Sequence, residues 1–145
     1  MANMIFFEKF FEDIAHGVHN LGTDTLKVAL TNDEPDAAVD TQLGDITEIA
    51  GGNGYAAGGN DATLVSSSQT GGVYKLILAD CVFTASGGSM AEFRYAVLYN
   101  ADAANDELIG YYDRGSGLVV GSGDTFTVDF DGAEGAVQLG AGTLA

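Results

Sequence analysis

The carboxylates are the first candidates for chemistry in this sequence. The chain has 21 Asp and Glu against five Lys and Arg in 145 residues. One run, NADAANDE, residues 100–107, gathers Asn100, Asp102, Asn105, Asp106 and Glu107. Hard oxygen donors this close in sequence suit calcium. The run lacks the D-x-D-x-D-G order and the twelfth-position Glu of an EF-hand. A solvated turn between two strands is the plainer reading, so no metal is assigned and the four residues Asn100, Asp102, Asn105 and Asp106 stand only as a calcium candidate.

Asp129 and Asp131 lie two apart on an extended stretch and would project to one face. A glycosidase needs two carboxyls roughly 5–9.5 Å apart across a sugar cleft, and a chain this short is small for one. The two histidines, His16 and His19, have an i, i+3 spacing that could turn both toward one metal from a helix. No third ligand cluster accompanies them and the HExxH pattern is missing, so helix-end imidazoles are the plainer reading. Cys81 is the single cysteine. It excludes an intrachain disulfide and, within the apolar run from Leu76 to Phe83, reads as a small buried hydrophobe. There is no G-x-S-x-G elbow, and Ser66, Ser67 and Ser68 read as a polar strand edge. GGNGYAAGG (51–59) lacks the Lys and Ser/Thr of a phosphate-binding loop and reads as a structural loop anchored by Tyr55. The expectation is a protein without catalytic residues or cofactor.

Those residues need elements to hold them. The segment 4–19 is expected to be the one helix, with Asn3 as N-cap and Gly22 behind its end. Phe7, Phe10, Phe11, Ile14 and Val18 fall on one helical face, with Glu8, Glu12 and Asp13 off it. The pattern then changes to period two. In TLKVALTN, Leu26, Val28 and Leu30 share a face. Residues 32–42, with the only proline, read as a loop, and 43–50 as a short strand or a turn of helix, a strand-like edge being preferred. Further strands are expected at 62–67, 73–84, 92–100, 107–113, 117–120, 124–130 and 135–139. In EFRYAVLYN, Phe93, Tyr95, Val97 and Tyr99 take one face and Arg94, Ala96 and Leu98 the other. Such alternation fits antiparallel strands with one buried face. Many short strands between glycines, with one helix, point to an antiparallel β-sandwich with a jelly-roll-like or related order, in one domain over 1–145.

Composition narrows the function classes. With 46% hydrophobic residues the chain is not of the disordered type. Lys9, Lys27, Lys75, Arg94 and Arg114 are scattered singly, which argues against nucleic acid as a partner. A net charge of −16 argues against an anionic membrane surface and keeps free copies apart. No apolar run reaches the ~20 residues of a membrane span, and the N-terminus does not read as a secretory signal.

Several segments taken together carry a family likeness. They are the Phe-rich helix running into GVHNLGTDTLKVALTN, then DITEIAGGNGYAAGG, VFTASGGSMAEFRYAVLYN, ELIGYYDRGSG and GDTFTVDF. From about residue 8 onward the chain resembles the small virion proteins of tailed bacteriophages, most of all capsid decoration (cement) proteins. The resemblance implies a sandwich or jelly-roll-like body and a place on the capsid surface of the virion after synthesis in the host cytoplasm. It implies the major capsid protein as partner, a homo-oligomer (a trimer by preference), and no catalytic residues. Clustered aromatics dominate interface energies, so Phe6, Phe7, Phe10 and Phe11 are the candidate anchors. The competing reading of that cluster is a lid over the open end of the sandwich. A different function class, a glycan- or receptor-binding module of the tail or a head fibre, would use the six tyrosines as stacking platforms, with acids such as Asp113 for hydroxyl groups.

Overall fold

The computed structural model describes residues 3–140. The chain forms β1 (Ile5–Phe6), α1 (Glu8–Ala15), β2 (Leu26–Thr31), a 3-10 turn (Leu43–Asp45), β3 (Asn60–Ala62), β4 (Leu64–Thr70), β5 (Val73–Leu78) and β6 (Cys81–Thr84). β7 (Phe93–Asn100), β8 (Leu108–Leu118), β9 (Thr125–Val128) and β10 (Val137–Leu139) follow. The architecture is mainly β, with every strand pairing antiparallel. One five-stranded sheet has the order β1-β8-β7-β2-β3; a three-stranded sheet, β10-β5-β4, and a β6-β9 pair stand apart from it. Side chains from these sheets meet in one core: Leu26, Val28, Leu30, Leu98 and Ile109 from the large sheet, and Leu76, Leu78, Phe83, Val128 and Val137 from the small ones. This is a sandwich.

The large sheet departs from the expected single buried face. Its outer face carries a second core of Ala29, Tyr95, Val97, Tyr99, Leu108 and Tyr111, covered by Ala37, Leu43 and Ile46. The covering residues come from the 32–47 segment, which is loop and a 3-10 turn at Leu43–Asp45, the helical alternative for 43–50 rather than the preferred edge strand; within 43–50 only Glu48 bridges, to Thr31. Residues Phe93 to Asn100 are nearly all buried as a result. Phe93 also leaves the face expected for it. Between the Tyr95–Asp113 and Phe93–Leu118 pairs, two steps along β7 face five along β8, an irregularity that bends the ladder and breaks its alternation. Phe93 therefore packs in the main core against Phe126, with ring centroids 4.8 Å apart, while Tyr95 lies in the second core.

Other boundaries differ for local reasons. The stretch 73–84 breaks at Ala79–Asp80, where Ala79 N–H turns to the Thr63 carbonyl. The stretches 107–113 and 117–120 merge into β8. The predicted 4–19 helix covers only Glu8–Ala15, and Ile5–Phe6 is instead a strand on β8. Phe7, not Asn3, is the N-cap, without a side-chain cap bond. The exposed backbone donors are met from outside the helix: Phe7 N–H donates to Ile109 O and Glu8 N–H to Ala37 O. The helix ends at Gly17, not near Gly22. Gly17 has φ +74°, Val18 N–H donates to Asp13 O and Gly17 N–H to Ile14 O. That bond pair is a Schellman ending, whose turning residue favours glycine.

Candidate functional site

The four N-terminal phenylalanines have four different environments. Phe7 is fully buried in the second core, its ring 5.5 Å from Tyr111. Phe10 is fully buried in the main core. Phe6 is half-buried and stacks on Phe10 at 5.6 Å with rings nearly parallel. Phe11 is 52% exposed and Ile5, on the adjoining strand, 43% exposed. Phe7 and Phe10 are thus not surface anchors, because strand β1 rotates Phe7 out of the helical phase assumed for it. The exposed apolar corner consists of Ile5, Phe6 and Phe11, with Phe6 and Phe11 centroids 5.7 Å apart.

The same short helix buries a charge. Asp13, expected on the solvent side, is 3% exposed. Lys9 Nζ donates to its Oδ1 at 2.7 Å, and its Oδ2 has no hydrogen-bond partner. His19, beyond the helix end, packs 5.2 Å from the Phe10 ring and shares a 3.0 Å hydrogen bond between its Nδ1 and Asn100 Nδ2. Its Nε2 is likewise buried without a partner. His16 is exposed, beside Glu12 at 3.9 Å, so the two imidazoles do not converge.

Burial pushes the His19 imidazole below its usual range, outweighing Asp13, Glu107 and Asp24, which pull it upward. A histidine held neutral by folding stabilises fully above its unfolded pKa of about 6.5 and loses that contribution as pH falls toward the folded value. Melting temperature is expected to drop between about pH 7.5 and about pH 5.5. The slope should flatten in His19→Asn; equal slopes in the two proteins would remove His19 from the account.

The calcium candidates serve the backbone. Asn100 is fully buried. Its Oδ1 accepts from Asp102 and Ala103 N–H, and its Nδ2 donates to Asp24 Oδ2 at 2.7 Å. Asp102 Oδ2 accepts from Thr25 N–H at 2.7 Å. Asn105 is tied to Glu107, and Asp106 takes the left-handed region at φ 53°. Among the described residues, no group of three or more His, Cys, Asp and Glu is placed to hold a metal ion.

The glycine-rich loop is anchored by Tyr55, as its sequence suggested. The buried Tyr55 hydroxyl donates to Glu48 Oε1 at 2.6 Å and accepts from Leu30 N–H at 3.1 Å. Gly58 N–H joins the same carboxylate at 2.7 Å. Cys81 is buried, its thiol pushed up to about 11 mainly by burial, which disfavours the reactive thiolate. Five of the six tyrosines, all but Tyr74, lie in the cores. Asp113 is held by a fork from Arg94, Nε to Oδ1 at 2.8 Å and Nη2 to Oδ2 at 3.1 Å, with the Arg94 guanidinium 5.3 Å from the Tyr95 ring centre.

Asp129 and Asp131 do come together, past the end of β9, on one cleft. The cleft opens between the β1 edge of the large sheet and the β10 edge of the three-stranded one, and holds about 640 Å³. Sequence alternation placed the two acids on one side, but nothing in it indicated that β1, Tyr112 and the 131–136 turn would complete a cleft. Asp131 is held below the usual carboxylate range by the Glu134 and Ala133 N–H groups, and a carboxyl so held is a poor general acid.

The described molecule is an acidic antiparallel sandwich with an apolar aromatic corner and an acid-rimmed cleft beside it. No family model, curated protein or solved structure matches the chain. Among the described residues, no helix is long and apolar enough to cross a membrane.

Proposed function

We propose that this chain is a capsid decoration protein of a tailed bacteriophage, a homo-oligomeric adhesion module that bridges major capsid protein subunits on the assembled head. The observation that carries the reading is the Ile5–Phe6–Phe11 corner. Ile5 and Phe11, each about half exposed, flank a stacked aromatic pair; the other exposed large apolar residues among those described, Val39, Leu64, Val65, Val82 and Val119, are aliphatic. Aromatic groups of this kind supply the desolvated centre of an interface, while surrounding charge excludes wrong partners. The corner is mounted rigidly, since Phe6 and Phe11 both rest on the buried Phe10 ring. A protein that binds only assembled shells stabilises them by mass action. With five tyrosines inside, stacking platforms for a glycan are scarce on this surface, and the decoration reading is the one pursued.

Co-sedimentation with heads of the phage that encodes the chain tests this. Saturable binding in fixed ratio to the major capsid protein is expected. Phe11→Asp should weaken it by at least about tenfold, as loss of an interface hot spot does, with the melting temperature lowered by no more than about a few degrees. Protein left in the supernatant, or bound only to tails, overturns the assignment.

A further inference from the structure

The cleft between β1 and β10 has its own chemistry, which does not rest on the decoration reading. Phe130 and Tyr112 form its floor, ring centroids 5.9 Å apart, and Phe6 one wall. Asp129, Asp131 and Glu134 stand on the rim. We infer that this cleft binds a guanidinium group, presented by an arginine side chain of a partner protein.

Three observations support a ligand here. Tyr112 is 7% exposed and lines the cleft, and its hydroxyl makes no hydrogen bond among the described residues, which leaves it available to a ligand. Burial, with the Asp131 and Asp129 charges adding to it, pushes this phenol up to about 12, so it stays neutral and can accept a hydrogen bond. The acids are also unequally committed. Glu134 is engaged by Lys75 at 3.2 Å and by Gln138 Nε2 at 3.0 Å. Asp131 receives Ala133 and Glu134 N–H on Oδ1 alone, each at 2.8 Å, leaving Oδ2 open. Asp129 has no hydrogen bond or ion pair among the described residues. Finally, the protein shows what satisfies such a set: Arg94, forked onto Asp113 and lying over Tyr95. The cleft repeats the carboxylates and the aromatic surface, while the neighbouring cation, Lys75, is taken up by Glu134 and the Ala133 carbonyl.

The shape of the donor set favours arginine over lysine. A guanidinium is flat, stacks on rings and presents five donors that can reach two carboxylates and a hydroxyl at once. An ammonium is a compact, strongly hydrated point charge that gains less from an aromatic wall. Free arginine shares the guanidinium but brings its own carboxylate toward an acidic rim.

Amide chemical-shift titration of the intact protein tests the inference, using N-acetyl-arginine amide, free arginine, N-acetyl-lysine amide and N-acetyl-citrulline amide. Expected is saturable binding of the blocked arginine, with shifts confined to Tyr112 and residues 129–136. The lysine compound should bind about fivefold more weakly, and citrulline not at all. Asp129→Asn should weaken the arginine compound by a similar factor at unchanged melting temperature, since the Asp129 side chain makes no hydrogen bond or ion pair among the described residues. Equal response to lysine, or shifts spread over the acidic surface, would reduce the effect to general counter-ion attraction and overturn the site. Absence of binding at tens of millimolar overturns it as well. Tighter binding of free arginine than of the blocked form would overturn the partner side chain as occupant.

Discussion

Phe10→Ala is expected to destabilise the protein by about 3–5 kcal/mol, the usual range for emptying a buried phenylalanine site. Phe10 is fully buried. Its ring is the common neighbour of Phe6 at 5.6 Å, Phe11 at 5.7 Å and His19 at 5.2 Å. Removing it leaves a cavity where the helix meets the main core, and takes the support from beneath the exposed corner. The helix has only eight residues, too few to hold itself by hydrogen bonding alone, so little can collapse inward to refill the space. Phe11→Ala, one residue along, should change stability by no more than about 0.5–1 kcal/mol, as surface substitutions do. Urea denaturation of both variants reads the contrast directly. Equal losses would mean that the helix faces inward at a different angle. The pair also separates folding from adhesion: Phe11 variants should fold and fail to bind, whereas Phe10→Ala should be impaired in both.

Gly59→Ala is expected to have an effect at least as large. Gly59 has φ +75°, and a Cβ there would collide with the backbone carbonyl of Val28. Val28 cannot yield, because it pairs with Asn60 on one side and Leu98 on the other, in the middle of the large sheet. The adjoining residue is held as firmly: Gly58 O accepts from the Tyr99 hydroxyl at 2.6 Å and Gly58 N–H donates to Glu48. Left-handed strain in a residue other than glycine costs about 1–2 kcal/mol, and the collision adds to it. A total above about 4 kcal/mol is a large share of the roughly 5–15 kcal/mol that holds a domain together. Thermal melting by circular dichroism should show a deeply lowered midpoint, or the variant should accumulate as insoluble protein. A midpoint within a few degrees of the parent would show that the loop can lift off β2.

Much of the fold was legible in the chain. The strict alternation of Leu26, Val28 and Leu30 marked a face that does pack in the main core. The glycine-rich loop around Tyr55 is the anchored structural loop its composition suggested, because only a tyrosine offers a buried ring with a hydroxyl able to serve Glu48 and Leu30 together. The misreadings share one origin. Periodicity counts residues evenly along the chain, and the structure does not. One irregularity in the β7–β8 ladder moved Phe93 to the other face from Tyr95, and a change from strand to helix between Phe6 and Glu8 sent four successive aromatics into four environments. Asp13 was read as solvated because charge usually is, yet a tight helix ending and Lys9 bring it inside.

By itself the sequence determined the class of molecule: an acidic, glycine-punctuated β protein with one short aromatic helix. Those properties follow from local preferences and from composition, which act wherever the chain lies. Only the tertiary structure decided which aromatics remain in solvent, that Asn100 and Asp102 bind backbone, and that Asp129, Asp131 and Tyr112 share a cleft. These depend on which sheet edges come to face one another. Juxtapositions of residues far apart in sequence, such as Phe6 and Asp129 lining one cleft, are set by the packing of two layers, and no periodicity within either segment encodes them.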